Sequence, residues 1–231
     1  MEQKLKVALI TGAARGLGLS IANEFRQAGY QVFATARDIT GKNNETALTW
    51  MHLDVTSAQS CEEAIAETFA RFGRLDVLVN NASGYTGGDS FVSLTDEEVT
   101  SELNTTLLAP MLLSKAYTTH AKDQGSGKII FISSAAGLLN NGSAGEWAAY
   151  SATKAALLRF SECLQGDLYS YGMQSHVIVP DNIRESEDVM DLIKDSATSY
   201  KAVSKAILYL TEVDGNISIS RLDIRPAVTS T

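Results

Sequence analysis

Cysteine, proline and histidine are scarce: 231 residues hold two, three and three of them. Cys61 and Cys163 stand far apart in sequence, so neither a disulfide framework nor a thiolate metal cluster is expected. His52, His120 and His176 are isolated from one another, and no metal ligand set is assigned. Three prolines do not make a proline-rich linker, and no internal repeat divides the chain. Also missing is any run of ~18 apolar residues, the length a helix needs to cross a bilayer. Met1 to Lys6 carries neither a long apolar core nor a small-residue cleavage site, so the expected location is the reducing cytoplasm. An excess of positive charge is the last absence. The formal charge is −8, whereas nucleic acids and anionic membranes ask for a basic face, so neither is an expected partner.

What is present is an ordinary globular composition, 45% hydrophobic and 20% charged, in a length that suits one domain over 1–231. Strand-like and helix-like segments alternate. Strands are expected at Val7 to Ile10, Gln31 to Ala36, Thr49 to Leu53, Leu75 to Val79, Lys128 to Ser133, Ser175 to Val179 and Ile217 to Ile224. Helices are expected from Leu17 to Gln27, from an N-cap at Ser57 to Phe72, and over Glu97 to Lys122, Trp147 to Tyr171 and Ser199 to Leu210. Most strands are continuous apolar runs, the mark of a parallel sheet covered on both faces. End-to-end β–α alternation predicts a doubly wound α/β fold.

Of eight tyrosines, only Tyr150 is followed four residues later by a lysine, Lys154. On a helix the two share a face. The ammonium then favours the phenolate, and a tyrosine that otherwise ionises near pH ~10 becomes a usable acid and base. A second motif is Thr11-Gly12-Ala13-Ala14-Arg15-Gly16-Leu17-Gly18, between the first strand and the first helix. Glycines there let the backbone turn tightly and let a pyrophosphate approach a helix N-terminus.

Gly-x-x-x-Gly-x-Gly at this place, with Tyr-x-x-x-Lys later, resembles the short-chain dehydrogenase/reductase family over nearly the whole chain. The resemblance implies a Rossmann domain with a mostly parallel seven-stranded sheet. Its dinucleotide-binding half would be about 1–95 and its catalytic half about 96–231. It implies that Gly12, Arg15, Gly16, Leu17 and Gly18 hold the cofactor, with Asp54 and Val55 at the adenine, Asn81 and Ala82 beside the ribose, and Pro180 near the nicotinamide. It also implies a tetrad of Asn104, Ser134, Tyr150 and Lys154. Tyr150 would donate a proton to the substrate oxygen and Ser134 would bond it. Lys154 would grip the nicotinamide ribose, and Asn104 would hold a water linking Lys154 to solvent. Ser133 is the alternative serine; Ser134 is preferred because it directly precedes Ala135-Ala136-Gly137.

The cofactor reading turns on the end of the second strand. NAD-selective relatives carry an aspartate in the slot that is Ala36 here. Arg37 follows it and Arg15 stands in the glycine turn, both suited to a 2′-phosphate, so NADP(H) is expected ahead of NAD(H). Asp38 is the competing carboxylate, since a two-residue register shift would bring it to the ribose and reverse the choice.

Several positions depart from the family pattern. Ser83 replaces the glycine after Asn-Asn-Ala. Loop 138–146 carries about three extra residues beside the substrate. Asp181 stands where Pro-Gly is usual, and Glu185 stands where a threonine is usual. Arg184 is expected to pair with one of these carboxylates if they point outward. Segment 186–199 is short for a substrate lid, so an open pocket is expected. The leading reading is an oxidoreductase acting on a small carbonyl/alcohol substrate, working as a homodimer or homotetramer. Leu107, Leu108, Met111 and Leu112 either supply the subunit interface or cover the sheet. The rival readings are a cofactor-binding regulatory or scaffold protein without turnover, and an isomerase or dehydratase using bound cofactor.

Overall fold

The computed structural model describes residues 5–84, 90–139, 147–186, 188–213 and 217–227, with the backbone alone at 189, 193 and 194. Seven strands build the main sheet: β1 (Val7–Ile10), β2 (Gln31–Ala36), β3 (Leu48–His52), β4 (Val77–Asn80), β5 (Gly127–Ile132), β6 (Met173–Pro180) and β9 (Arg221–Ile224). Their spatial order is β3-β2-β1-β4-β5-β6-β9, and every neighbouring pair is parallel. Leu9 in β1 pairs with Phe33 on one side and Leu78 on the other.

Period-two alternation splits the apolar strand residues between two cores. Val7 and Leu9 join the face covered by α2 (Ala58–Phe72), α4 (Ala109–Ala121) and α5 (Ala148–Leu168). Ala8 and Ile10 join the opposite face, under α1 (Gly16–Gln27) and α7 (Tyr200–Glu212). On that side Ile21 and Phe25 of α1 meet Val203 and Ile207 of α7, all fully buried. A side chain buried this way contributes ~1.5–3 kcal/mol. Among the described residues no helix is long and apolar enough to cross a membrane.

The long helical pattern from Glu97 to Lys122 is interrupted. It forms α3 (Asp96–Leu103), a π-helical turn over Asn104–Leu108, and α4. Thr95 and Glu98 close a capping box at the start of α3. Pro110 explains the interruption: it has no N–H for the carbonyl four residues back, and its ring crowds that carbonyl. The π turn begins at Asn104.

Other boundaries shift by a residue or two. The last strand is shorter than expected, Arg221–Ile224, because residues 217 and 219 before it meet β6 through the side chains of Gln174 and His176 in place of a backbone ladder. The segment after β6 holds three small elements that the sequence did not announce. They are β7 (Ile183–Arg184), α6 (Val189–Lys194) and β8 (Thr198–Ser199), with β7 and β8 paired in parallel. Asn182 closes this excursion, its amide donating to the carbonyls of Asp195 (2.9 Å) and Ser196 (3.2 Å).

Tyr117 is fully buried in α4, and its hydroxyl donates to the Leu75 carbonyl at 2.6 Å. Gln124 Nε2 donates to the same oxygen at 2.9 Å. Tyr117→Phe therefore leaves that carbonyl bonded and is expected to cost only ~1 kcal/mol. Tyr117→Ala opens a cavity and is expected to cost ~3–5 kcal/mol by denaturant unfolding.

Candidate active site

Between β1 and α1 the chain turns where only glycine fits. Gly12 has φ +64°, and a Cβ there would sit 3.0 Å from Ala82 Cα. At Gly18 a Cβ would stand 2.3 Å from the Gly12 carbonyl oxygen and 2.5 Å from Asn81 Nδ2. The turn is locked to the loop after β4. Thr11 Oγ1 accepts from the backbone N–H groups of Asn81 and Ala82, each at 3.0 Å. Asn81 Nδ2 donates to the carbonyls of Thr11 (2.9 Å) and Gly12 (3.2 Å). The N-cap of α1, Arg15, makes no side-chain cap bond, and the first turn has no acidic residue. The orphan N–H groups and the positive helix end suit a bound anion.

A cleft of about 590 Å³ opens along this turn, beyond the carboxyl ends of β1, β2 and β4. It lies where the chain order reverses across the neighbours β1 and β4, the place where open parallel sheets accept ligands. Gly12, Arg15, Gly16, Leu17, Gly18, Arg37, Val55, Asn81 and Ala82 line it, together with Ala36, Asp38, Ser83 and Thr105. Asp54 does not line it, although Leu53 and Val55 on either side do. Asp54 Oδ1 accepts from Thr56 Oγ1 (2.7 Å) and Thr56 N (3.0 Å), and these bonds hold its pKa below the usual carboxylate value. Asp38 is exposed and likewise turned onto its own loop, accepting from Thr40 N at 2.8 Å.

Lys154 is 3% exposed. Its Nζ donates to the carbonyl of Ile132, the last residue of β5, at 2.7 Å, and stands 5.4 Å from the centre of the Tyr150 ring. Burial pushes its pKa down from 10.5 to about 8, opposed by the nearby charge of Glu102. Tyr150 is half-buried, edge-on to Trp147 at 5.9 Å. The two candidate serines differ. Ser133 is buried and donates to the Lys154 carbonyl at 2.9 Å, fixing α5 to the end of β5. Ser134 is half-buried, and its Oγ accepts from Ala136 N at 3.2 Å. Asn104 is half-buried at the junction of α3 and the π turn. Asn104, Ser134, Tyr150, Lys154 and Pro180 do not line the cleft, although Thr105, the neighbour of Asn104, does.

Pro180 is buried at the end of β6. Asp181 and Glu185 are both exposed. Arg184 pairs with Asp195, so it neutralises neither of them. Residues 140–146, most of the lengthened loop before α5, lie outside the described residues.

Three polar residues that the sequence reading passed over contribute to this geometry. Thr11 anchors the glycine turn. Thr106 Oγ1 accepts from Gly84 N (3.0 Å) and bonds Ser83 Oγ (3.3 Å), which gives Ser83 a partner in place of the family glycine. Glu102 is fully buried: Thr153 Oγ1 lies 2.9 Å from its Oε1, and Oε2 has no hydrogen-bond partner among the described residues. The Thr153 hydroxyl also lies 2.8 Å from the Tyr150 carbonyl, yet it has a single proton for both acceptors. Thr11 opens the glycine motif without a role assigned to it there, Thr106 stands in no such motif, and only the rarity of a buried glutamate would have flagged Glu102.

Comparison with known proteins gives the family. The family described as short chain dehydrogenase matches residues 6–197. The 3-oxoacyl-(acyl-carrier-protein) reductase FabG of Escherichia coli (strain K12) is 35% identical over 183 residues, 76% of this chain and 72% of the relative. An acetoacetyl-CoA reductase of Shinella zoogloeoides is 35% identical over 179 residues, 76% of this chain and 73% of that one. Among solved structures, serine dehydrogenase from Escherichia coli superposes with a TM-score of 0.84 at 26% identity, covering 97% of this chain and 100% of that chain. The closed form of serine dehydrogenase complexed with NADP+ also gives 0.84, at 26% identity, over 97% and 96% of the two chains. The chain belongs to the short-chain dehydrogenase family, and its parallel sheet with helices on both faces is that family's Rossmann-like fold.

The buried ammonium has a measurable consequence. The folded pKa of Lys154, about 8, lies below the value of 10.5 for an exposed lysine. Between those pH values the unfolded chain binds more protons, so raising the pH relieves the burial cost and stabilises the fold. Relative to Lys154→Met, the wild type is expected to gain up to ~3 kcal/mol of unfolding free energy from pH 8 to 10.5, and nothing from pH 6 to 7. Denaturant titrations of both proteins across that range check it.

Proposed function

We propose that this chain is an NADP(H)-dependent oxidoreductase acting on a carbonyl/alcohol pair, with Tyr150 as its general acid and base. The observation that carries the reading is the Lys154 ammonium, fixed by the Ile132 carbonyl beneath the Tyr150 ring. It stands outside the lining of the cleft whose glycine turn suits a dinucleotide pyrophosphate. A bound nicotinamide supplies or accepts the hydride; orientation and proton traffic belong to the protein.

In the reductive direction Tyr150 Oη gives its proton to the substrate oxygen as negative charge builds there. The Ser134 hydroxyl donates a hydrogen bond to the same oxygen. The Lys154 ammonium favours the phenolate that remains and reaches the ribose hydroxyls of the bound cofactor. Asn104, held at the π turn, orders a water through which the proton returns from solvent. The Gly12–Gly18 turn and the α1 N-terminus receive the pyrophosphate. Arg15 and Arg37 receive the 2′-phosphate, and Val55, Ala82 and Pro180 border the rings. Asp54 meets the adenine amino group through Oδ2, the oxygen that Thr56 leaves free.

The chain acts as one domain, its cofactor half about 1–95 and its catalytic half about 96–231. Its protomers pair into a homodimer or homotetramer through α4 and α5. Leu108, at the end of the π turn that leads into α4, is 44% exposed while Leu112 of α4 packs on the core, so these apolar residues divide between the two duties.

Asp181 in the place of glycine and exposed Glu185 favour a second reading, a cofactor-binding protein without turnover. One screen separates the two. NADPH absorbance is followed against carbonyl substrates that include 3-oxoacyl thioesters, whose reductases are relatives of this chain, and against serine with NADP+ in the oxidative direction. Turnover that falls at least ~10²-fold in Tyr150→Phe, with NADPH affinity retained, is the expected result. Tight NADPH binding with no turnover of any substrate supports the rival. Arg37→Ala is expected to raise the NADPH Michaelis constant about tenfold while leaving that of NADH within about twofold.

A further inference from the structure

We propose that Lys42 is a third cation of the 2′-phosphate site and sets the preference of this chain for NADP(H) over NAD(H). The proposal rests on the cofactor reading above and extends it to a residue in what the sequence presents as a plain polar loop.

The connection from β2 to β3, residues 37–47, contains no helix, yet it is folded. Asp38 caps Thr40, Lys42 N donates to the Ile39 carbonyl at 3.0 Å, and Gly41 takes φ +72° to make that bend. Asn44 Oδ1 accepts from Trp50 N at 2.8 Å, and Glu45 pairs with Arg26 at 2.6 Å. The folded loop carries the Lys42 side chain back over the Trp50 ring, 4.8 Å from its centre. There Nζ donates to the carbonyl of Ala14 at 2.9 Å. Ala14 lines the cleft beside Arg15, and Arg37 lines the same cleft from the end of β2.

This placement has two consequences. An ammonium carries three donors, and Ala14 takes one of them. Further, among the described residues none of Arg15, Arg37 and Lys42 forms an ion pair with a carboxylate, although the chain carries net charge −8. The nearby acids are bonded within their own loops or paired elsewhere, Asp38 with Thr40, Asp54 with Thr56 and Glu45 with Arg26, although the charge of Arg37 still reaches Asp54. A dianionic phosphate beside Arg15, Arg37 and Lys42 gains attraction from all three cations. The Trp50 ring and the Ala14 carbonyl hold the Lys42 ammonium in place before a ligand arrives, so little side-chain entropy is lost on binding.

The test uses the two adenosine ligands that differ in one group. Adenosine 2′,5′-bisphosphate and 5′-AMP are titrated calorimetrically into the wild type, Lys42→Met, Lys42→Arg and Arg37→Ala. Methionine keeps an unbranched apolar side chain of similar reach and removes the ammonium with its contacts to Trp50 and Ala14. Lys42→Met is expected to weaken the bisphosphate about fivefold to twentyfold and 5′-AMP less than about twofold, with Lys42→Arg recovering most of the loss. Unchanged bisphosphate affinity in Lys42→Met, or an equal loss for both ligands, overturns the proposal, the second outcome marking Lys42 as a loop anchor. If Arg37→Ala alone weakens the bisphosphate, the NADP(H) reading stands and the Lys42 assignment falls. If the wild type does not prefer the bisphosphate to 5′-AMP, both fall.

Discussion

A lysine ammonium taken almost wholly out of water is the constraint around which this site is arranged. Lys154 keeps a charge there because the Ile132 carbonyl meets it at 2.7 Å and the Glu102 carboxyl lies near. Those partners exist only if α5 docks tightly on the end of β5. Two contacts enforce the docking. Ser133 bonds the Lys154 carbonyl, and Gly137 approaches so closely that a Cβ would fall 2.7 Å from the Lys154 carbonyl carbon. Thr153, the neighbour of Lys154, reaches across to Glu102 of α3. The helix that bears Tyr150 is thus fixed on two sides by groups that serve the lysine, and the orientation of the tyrosine follows from the satisfaction of the cation.

Ser133 and Ser134 show how adjacent residues at a strand end divide labour. Side chains alternate across a strand, so one of the pair turns into the α5 contact and the other turns away. The inward one bonds the Lys154 carbonyl. The outward one keeps a hydroxyl whose only described bond is the local one to Ala136 N, where it acts as acceptor. Its proton therefore remains available to a ligand oxygen.

Most of the fold was legible because its signals are local. Val7 to Ile10 is apolar throughout and Gln31 to Ala36 is so except for Gln31 and Thr35, a pattern that suits a strand covered on both faces, and each became a parallel strand. The glycine turn was legible for the same reason, since Gly12 and Gly18 are demanded by backbone geometry within one loop. The interruption at Asn104 was half legible. An asparagine inside a helix signals an exception, but the π turn comes from Pro110, six residues on, acting on the hydrogen-bond ladder behind it. What stayed hidden was tertiary. Glu102 reads as one acid among several on a helix until α5 covers it. Lys42 reads as a solvated loop lysine until the loop folds and carries it 28 residues back along the sequence to Ala14. Asp54 reads as an adenine contact, and the structure shows one of its oxygens already committed to Thr56.

The overall charge gives the cleft its physical logic. A chain of net charge −8 repels a polyanionic ligand at long range, but at physiological ionic strength that repulsion is screened beyond ~8 Å. Only charges at the rim are then felt during the final approach. At the rim of this cleft the cations Arg15 and Arg37 are exposed and the acids are tied into turns, while the α1 N-terminus adds its partial positive charge. Acidity elsewhere on the surface, which serves solubility, is thereby separated from anion recognition in the cleft. Asp181 and Glu185 are exposed carboxylates on the segment that continues from β6, and Arg184 is committed to Asp195. Glu185 shares a second cavity with Arg15 and Gly16, so the separation of charge is local to the cleft and an acid stands in the neighbouring space.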